Sequence, residues 1–168
     1  MGQKPLDIKK SSHHRKIIGN FGEHLVCNWL SRSKFEVTIV DHTGIDVIAY
    51  NPRTRKRLGI TVKSRTRNKG KEKESVNLFD NKKHVPDRQK LINACNAFGC
   101  EPYIAVYVET KKYADLYLTS LKNYDAEYRR KRVVDDWKMT PKWLIAYDND
   151  KEVRHLHMDF EYKNWFRT

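Results

Sequence analysis

Asp46 and Lys63 are charged residues of opposite sign in the two most strand-like stretches of the sequence. Each is either the solvated end of a strand or half of a shared site. Carboxylate oxygens are ligands that Mg²⁺ prefers, and a bound divalent cation lowers the pKa of a water and neutralises phosphate charge. A neighbouring lysine stabilises the extra negative charge of a transition state. These groups together suit hydrolysis of a phosphodiester.

Strand geometry determines whether these residues can meet. Residues 45–50 and 58–65 are the two predicted strands that carry them. Because alternate residues of a strand point to the same face, Thr61 and Lys63 lie side by side. We predict that Asp46 lies on the face that meets them. The second acid of the site is then Glu23, on the preceding predicted helix.

The remaining elements follow from hydrophobic periodicity and turn residues. A helix is predicted from Ser12 to about Arg32, and Gly19 and Gly22 are expected to let another backbone come close to it. Residues 66–86 are strongly polar and are predicted to form a long mobile loop. Asp87 is the predicted cap of the following helix. Further predicted strands cover 35–40, 102–109, 113–119 and 153–160, and further helices cover 87–98, a segment from Ser120 and 140–148.

Composition favours a polyanionic partner. The chain has 34 Lys and Arg against 21 Asp and Glu, a formal net charge of +13, and its pI is about 9.7, a balance typical of nucleic-acid binders. No long apolar run or amphipathic basic helix points to a membrane. We expect a basic flexible tail over residues 1–11, a single domain over 12–168 and a cytoplasmic location, with the three cysteines reduced.

Basic residues occur in three runs along the chain. Such runs are often only solvated faces, but two of them flank the predicted strand with Lys63 in sequence. These two are the predicted nucleic-acid contacts, whereas the third covers residues 129–132. The predicted contacts are Arg53, Arg55, Lys56, Arg57, Arg65, Arg67 and Lys69.

Three short segments carry a resemblance to a known family. They read G-x-x-G-E over 19–23, V-D-x-x-G-x-D-V-I-A over 40–49 and I-T-V-K-S over 60–64. In these segments the sequence resembles the PD-(D/E)xK nucleases, and among them it is similar to Holliday-junction resolvases. The resemblance implies an α/β, restriction-endonuclease-like fold with a mixed central sheet flanked by helices. It also implies a metal-dependent DNA endonuclease acting on branched or structured DNA.

The resemblance assigns a role to each matching residue. Glu23, Asp46 and Lys63 would be catalytic, with Mg²⁺ or Mn²⁺ held by Asp46, Glu23 and the backbone carbonyl of Val62. The implied supporting residues are Thr61, Ser64 and Gln89.

The sequence departs from the family pattern at Thr61, where the family has Glu, Asp or Gln. A neutral hydroxyl removes one negative charge from a site for a dication. The alternative function is therefore a catalytically inactive nucleic-acid-binding module on a nuclease scaffold. An RNA or ribonucleoprotein binder is a third hypothesis, which rests on charge alone. The resemblance leaves a homodimer open, because resolvase-like nucleases are typically dimers.

Two histidine pairs are candidate metal ligands. His155 and His157 share a face of the last predicted strand, and His13 and His14 are adjacent in sequence. No cysteine or acidic cluster accompanies either pair at zinc spacing. The sequence therefore predicts no metal site at these histidines.

Overall fold

The computed structural model describes residues 8–130 and 135–166. Four α-helices occur in this part of the chain: α1 (His14–Arg32), α2 (Asp87–Phe98), α3 (Leu121–Asn123) and α4 (Pro141–Asn149). A π-helical turn, Tyr124–Tyr128, continues α3. Residues 1–7 of the predicted tail, which covers 1–11, and the basic residues 131 and 132 lie outside the described ranges.

Six strands form one mixed sheet in the order β1-β2-β3-β5-β6-β8, and β4 and β7 form a separate pair. Within the main sheet β3 and β5 are parallel, whereas the other neighbours are antiparallel. The predicted fold class, an α/β mixed central sheet with flanking helices, is confirmed. The strands are β1 (Glu36–His42), β2 (Ile45–Tyr50), β3 (Arg57–Thr66), β4 (Val76–Phe79), β5 (Glu101–Glu109), β6 (Tyr113–Ser120), β7 (Asp135–Trp137) and β8 (Arg154–Asp159).

The hairpin of β2 and β3 follows from its residue pattern. In β2 buried residues alternate with partly exposed ones, as expected for a strand with one face in the core. The connecting turn is closed by the side chain of Asn51, which accepts hydrogen bonds from the backbone N–H groups of Arg53 and Thr54. Parallel strands need a long crossover, and α2 lies in the segment that joins β3 to β5.

One face of the sheet is covered by α1. Ile18, Val26 and Leu30 of this helix are buried in the same core cluster as Val47 of β2 and Ile60 of β3. The periodic apolar residues of α1 thus lie on the side of the helix that packs against the sheet, as expected for an amphipathic helix.

The apolar residues that predict α1 recur at three- and four-residue steps, and they form a stripe that is wider than the contact the helix makes. Ile17 and Phe21 belong to this stripe, but they are 58% and 48% exposed. The helix therefore buries only part of its apolar surface.

The opposite face carries α2 and an aromatic cluster. Trp137 of β7 and Tyr147 of α4 stack with ring centroids 4.0 Å apart, and both are almost fully buried. Tyr117 of β6 contacts both rings. Large aromatic rings bury enough apolar area to hold such a layer together.

Two sequence predictions are wrong in this region. The segment 66–86 contains β4, in which Val76, Leu78 and Phe79 are buried, and β4 pairs with β7. Asp87 is not the cap of α2, because Pro86 occupies that position. The Asp87 carboxylate instead accepts hydrogen bonds from Lys83 and Lys90.

Gly22 of α1 marks the point where the helix comes closest to the sheet. A Cβ atom there would lie 2.1 Å from the Ser64 Oγ, whereas one at Gly19 would meet nothing within 4 Å. The sequence predicts that another backbone comes close to the helix at both glycines. The structure shows a close approach at Gly22 alone, and the group nearest to it is the side chain of Ser64.

None of the described helices is long and apolar enough to cross a membrane.

Substitutions at the two glycines distinguish the effect of this contact on stability from the effect of helix propensity. Gly22→Leu is expected to destabilise the fold by about 1–3 kcal/mol, because the new side chain would push α1 off β3. Gly19→Leu is expected to be neutral or to stabilise by up to about 1 kcal/mol, since leucine favours helix and the space is open. Urea unfolding measures both. Equal effects would contradict the assigned contact.

Candidate active site

Asp46 lies at the open end of the β2–β3 ladder. The ladder ends with the pair Val47 and Ile60, and Asp46 is the next residue of β2. Its Oδ2 accepts a hydrogen bond from the Val62 backbone N–H at 2.6 Å and another from the Thr61 hydroxyl at 3.2 Å. The carboxylate therefore takes the place of a backbone acceptor and is held in one position.

The strand register places the three predicted polar residues on one face of the sheet. Continuing the register brings Asp46 beside Thr61, which the hydrogen bond between their side chains supports. Lys63 is two residues further along β3 and thus points to the same face. Its Cα lies about 6.6 Å from that of Thr61, the rise of two strand residues.

Glu23 approaches this group from α1. It is partly buried, and burial is the largest cause that raises the pKa of its carboxyl; the charge of Asp46 raises it further, and Lys63 lowers it. Two carboxylates close together each disfavour the ionised form of the other. Glu23, Asp46 and Lys63 therefore lie close enough to share one electrostatic environment.

Asp41 of β1 is a fourth charged group near the site, and sequence reasoning missed it. Its charge also raises the pKa of Glu23, and its side chain is exposed. The signal was present, because Asp41 is the first acid of the V-D-x-x-G-x-D segment. Only the second acid of that segment was assigned a role.

Val62 contributes backbone atoms to the same place. Its N–H points at Asp46, and in a strand the N–H and C=O of one residue point toward the same neighbouring strand. The Val62 carbonyl is thereby directed to the side on which Asp46 lies.

The donor set consists of oxygen atoms only, which is the ligand type that Mg²⁺ takes. Among the described residues, the Asp46 Oδ1 and both Glu23 oxygens accept no hydrogen bond, and Lys63 forms no hydrogen bond or ion pair. Unneutralised carboxylates beside an unpaired ammonium fit a site for a hydrated divalent cation and a phosphate.

Ser64 and Gln89 are the other two predicted supporting residues. Ser64 is buried against Gly22 on the opposite face from Lys63, and its hydroxyl has no hydrogen-bond partner in the described part of the chain. Gln89 is exposed on α2 and donates to Asn93 of the same helix at 2.8 Å. Neither side chain makes a hydrogen bond to the acids of the site.

The predicted basic contacts in the β2–β3 turn lie away from Asp46. Arg57 pairs with Tyr50, which is four residues from Asp46 along β2, or about 13 Å at the rise of a strand. Arg57 donates to the Phe98 carbonyl at 3.0 Å, and Lys56 pairs with Glu101 at 3.6 Å. Arg53 and Arg55 are exposed on this turn.

Nearer the site, basic residues collect at the end of β3. Arg65 shares the face of Lys63, and burial lowers its pKa, as do the charges of Arg67 and then Arg15 of α1. Arg67 is 14% exposed and binds the backbone and carboxylate of Glu74, so it holds the following loop. Lys69 is exposed on that loop. Arg15 was not predicted as a contact and is exposed beside this group.

Two nucleases are among the solved structures to which this chain is similar. A Holliday junction resolvase from the hyperthermophilic archaeon Archaeoglobus fulgidus is similar with a TM-score of 0.49 and 19% identity, over 68% of this chain and 86% of that one. A restriction endonuclease in complex with substrate DNA is similar with a TM-score of 0.48 and 13% identity, over 95% of this chain and 77% of that one. No family model and no curated protein matches the sequence.

The hydrogen bond between Val62 and Asp46 makes a measurable contribution to stability. Asp46→Ala is expected to cost about 1–3 kcal/mol, because the partly shielded Val62 N–H loses its acceptor. Asp46→Asn is expected to retain most of that stability, since its amide oxygen can accept the same hydrogen bond. Equal loss in both variants, measured by chemical denaturation, would show that the N–H is satisfied in another way.

Proposed function

We propose that the protein is a metal-dependent endonuclease that hydrolyses phosphodiester bonds of DNA. The observation that supports this most directly is the position of Asp46, which is fixed by Val62 and Thr61 on the face that also carries Lys63. An anionic oxygen cluster with one ammonium beside it offers what phosphodiester hydrolysis requires. Branched or structured DNA is the proposed substrate, as the resolvase-like motifs suggest.

Asp46, Glu23 and the Val62 carbonyl are the proposed holders of Mg²⁺ or Mn²⁺, with Asp41 close enough to assist. When bound, the ion would neutralise charge on the scissile phosphate and lower the pKa of an attacking water. Asp46 needs no rearrangement for this role, because its Oδ2 is already held and its Oδ1 is free of hydrogen bonds from the described residues.

Lys63 is the proposed electrostatic catalyst. Its ammonium has no ion-pair partner among the described residues, although Glu23 and Asp46 lie nearby. A preorganised cation at this position donates hydrogen bonds to the water or to a phosphate oxygen and stabilises charge that develops in the transition state.

Nucleic-acid binding is proposed to centre on the end of β3 and the start of α1. Arg15, Arg65 and Lys69 are the proposed phosphate contacts: Arg15 lies near Arg65, and Lys69 is exposed on the loop that follows β3. The β2–β3 turn with Arg53 and Arg55 would contact phosphates further along the same duplex. Each phosphate contact releases counterions, so binding weakens as salt rises.

Thr61 favours a second candidate function, the inactive binding module. Its side chain is 5% exposed and donates to Asp46, so it adds a hydrogen bond where the family pattern has a charge. Such a site would hold a cation more weakly. This candidate predicts salt-sensitive DNA binding without turnover.

Cleavage assays on branched, nicked and linear DNA distinguish the two functions. Asp46→Asn and Lys63→Ala are each expected to reduce Mg²⁺- or Mn²⁺-dependent cleavage by about 10²–10³-fold, the usual cost of losing one transition-state contact. Lys142→Ala, an exposed lysine on α4, is the matched control and should cleave normally.

Two outcomes would count against the proposed enzyme. Cleavage that survives both Asp46→Asn and Lys63→Ala would remove the site assignment. DNA binding without cleavage in the wild type, unchanged by Asp46→Asn, would establish the binding module instead.

Substituting Thr61 tests whether the carboxylates form a cation site. Thr61→Glu places a third acid beside Asp46, and we expect its melting temperature to fall in EDTA through like-charge repulsion. Millimolar Mg²⁺ should restore it, because a ligand that binds the folded state stabilises that state. Thr61→Val is the uncharged control, and Mg²⁺ should raise its melting temperature less than that of Thr61→Glu. A Thr61→Glu variant that melts equally with and without Mg²⁺ would contradict the site.

A further inference from the structure

A second cluster of metal-ligating side chains lies at the other end of the sheet. Asp115 of β6 and His157 of β8 are register partners, and His155 is opposite Tyr117. The Asp115 Oδ1 lies 2.8 Å from the His155 Nε2 and 2.7 Å from the His157 Nδ1. Two imidazole nitrogens therefore converge on a single carboxylate oxygen.

The second nitrogen of each ring also faces a carboxylate. The His155 Nδ1 lies 2.6 Å from the Asp148 Oδ1, and the His157 Nε2 lies 3.2 Å from the Asp159 Oδ1. A neutral imidazole has only one N–H to donate. Both rings can satisfy two carboxylates only when each carries an extra positive charge, as a proton or as a metal ion on the nitrogen that faces Asp115.

We propose that Asp115, His155 and His157 bind Zn²⁺. Their three ligand atoms all lie within 4.8 Å of one another. Zinc bonds of about 2.0–2.2 Å in tetrahedral geometry separate ligand atoms by roughly 3.3 Å. The two rings need only withdraw from the Asp115 oxygen by about half an ångström to admit the ion.

The surroundings resemble the hydrogen-bond partners that orient zinc ligands. Metal-ligating histidines almost always donate their other ring N–H to a carboxylate or carbonyl, and Asp148 and Asp159 occupy those positions here. Asp115 is buried, and His155 stacks on Tyr117 with centroids 4.4 Å apart and planes 12° apart. The rings are thus held in place before an ion arrives.

The proposed zinc site has a structural role. β8 is an edge strand whose only partner in the sheet is β6. A shared ion would join His155 and His157 to Asp115 of β6, and Asp148 would extend the link to α4. In the order of strands β3 and β5 lie between Asp46 and the cluster, so the proposal is independent of the nuclease function.

Zinc titration followed by calorimetry tests this site directly. Wild-type protein freed of metal is expected to bind one Zn²⁺ in the micromolar range or tighter, and the Asp46→Asn variant should bind it equally. His157→Gln should weaken binding by at least about tenfold, the effect expected for loss of a metal-shell group. His84→Gln, an exposed histidine outside the cluster, is the matched control.

Melting with and without Zn²⁺ provides a second readout. The wild type should melt at a higher temperature with Zn²⁺, and His157→Gln should lose this shift while it keeps the wild-type circular dichroism spectrum. Since His157 is about half exposed at a strand edge, this variant is expected to fold. Failure of the wild type to bind, or equal binding by His157→Gln and His84→Gln, would overturn the proposal.

Discussion

The hydrogen bond from the Val62 amide to the Asp46 carboxylate connects the fold with the site. In a regular ladder that amide would pair with a backbone carbonyl of β2, but the last pair of the ladder is at Ile60, two residues before Val62. The side chain of Asp46 satisfies the donor and is thereby fixed in the opening. A register slip of one residue would turn Thr61 and Lys63 to the other face, so the alignment of β2 with β3 determines whether the site exists.

The second constraint is the close approach of α1 to the sheet. Gly22 has no side chain at the contact with Ser64, which lets the helix come near β3, and Glu23 is the next residue of the helix. Its carboxyl is carried toward Asp46, and burial, followed by the charge of Asp46, raises the pKa of Glu23. Packing and electrostatics at the site thus depend on one another.

Residue patterns within single strands and helices predicted the features that depend on neighbouring residues of the sequence. The alternation within β2 and β3 predicted that Asp46 and Lys63 lie on the same face of the sheet without any knowledge of tertiary structure. The pairing of β4 with β7 could not be read in this way, because the apolar residues of β4 are few, lie within a polar segment and pair with residues about sixty positions away. Asp115 was missed as a partner of His155 for the same reason, since strand pairing across forty residues brings them together.

A crystal of the protein soaked with Mn²⁺ tests the central claim most directly, because anomalous scattering locates the ion without assumptions about activity. The account predicts a peak bound by Asp46 and Glu23 on the face of the sheet that carries Lys63, with water completing the shell. A peak elsewhere only, or Asp46 and Lys63 on opposite faces of the sheet, would contradict it.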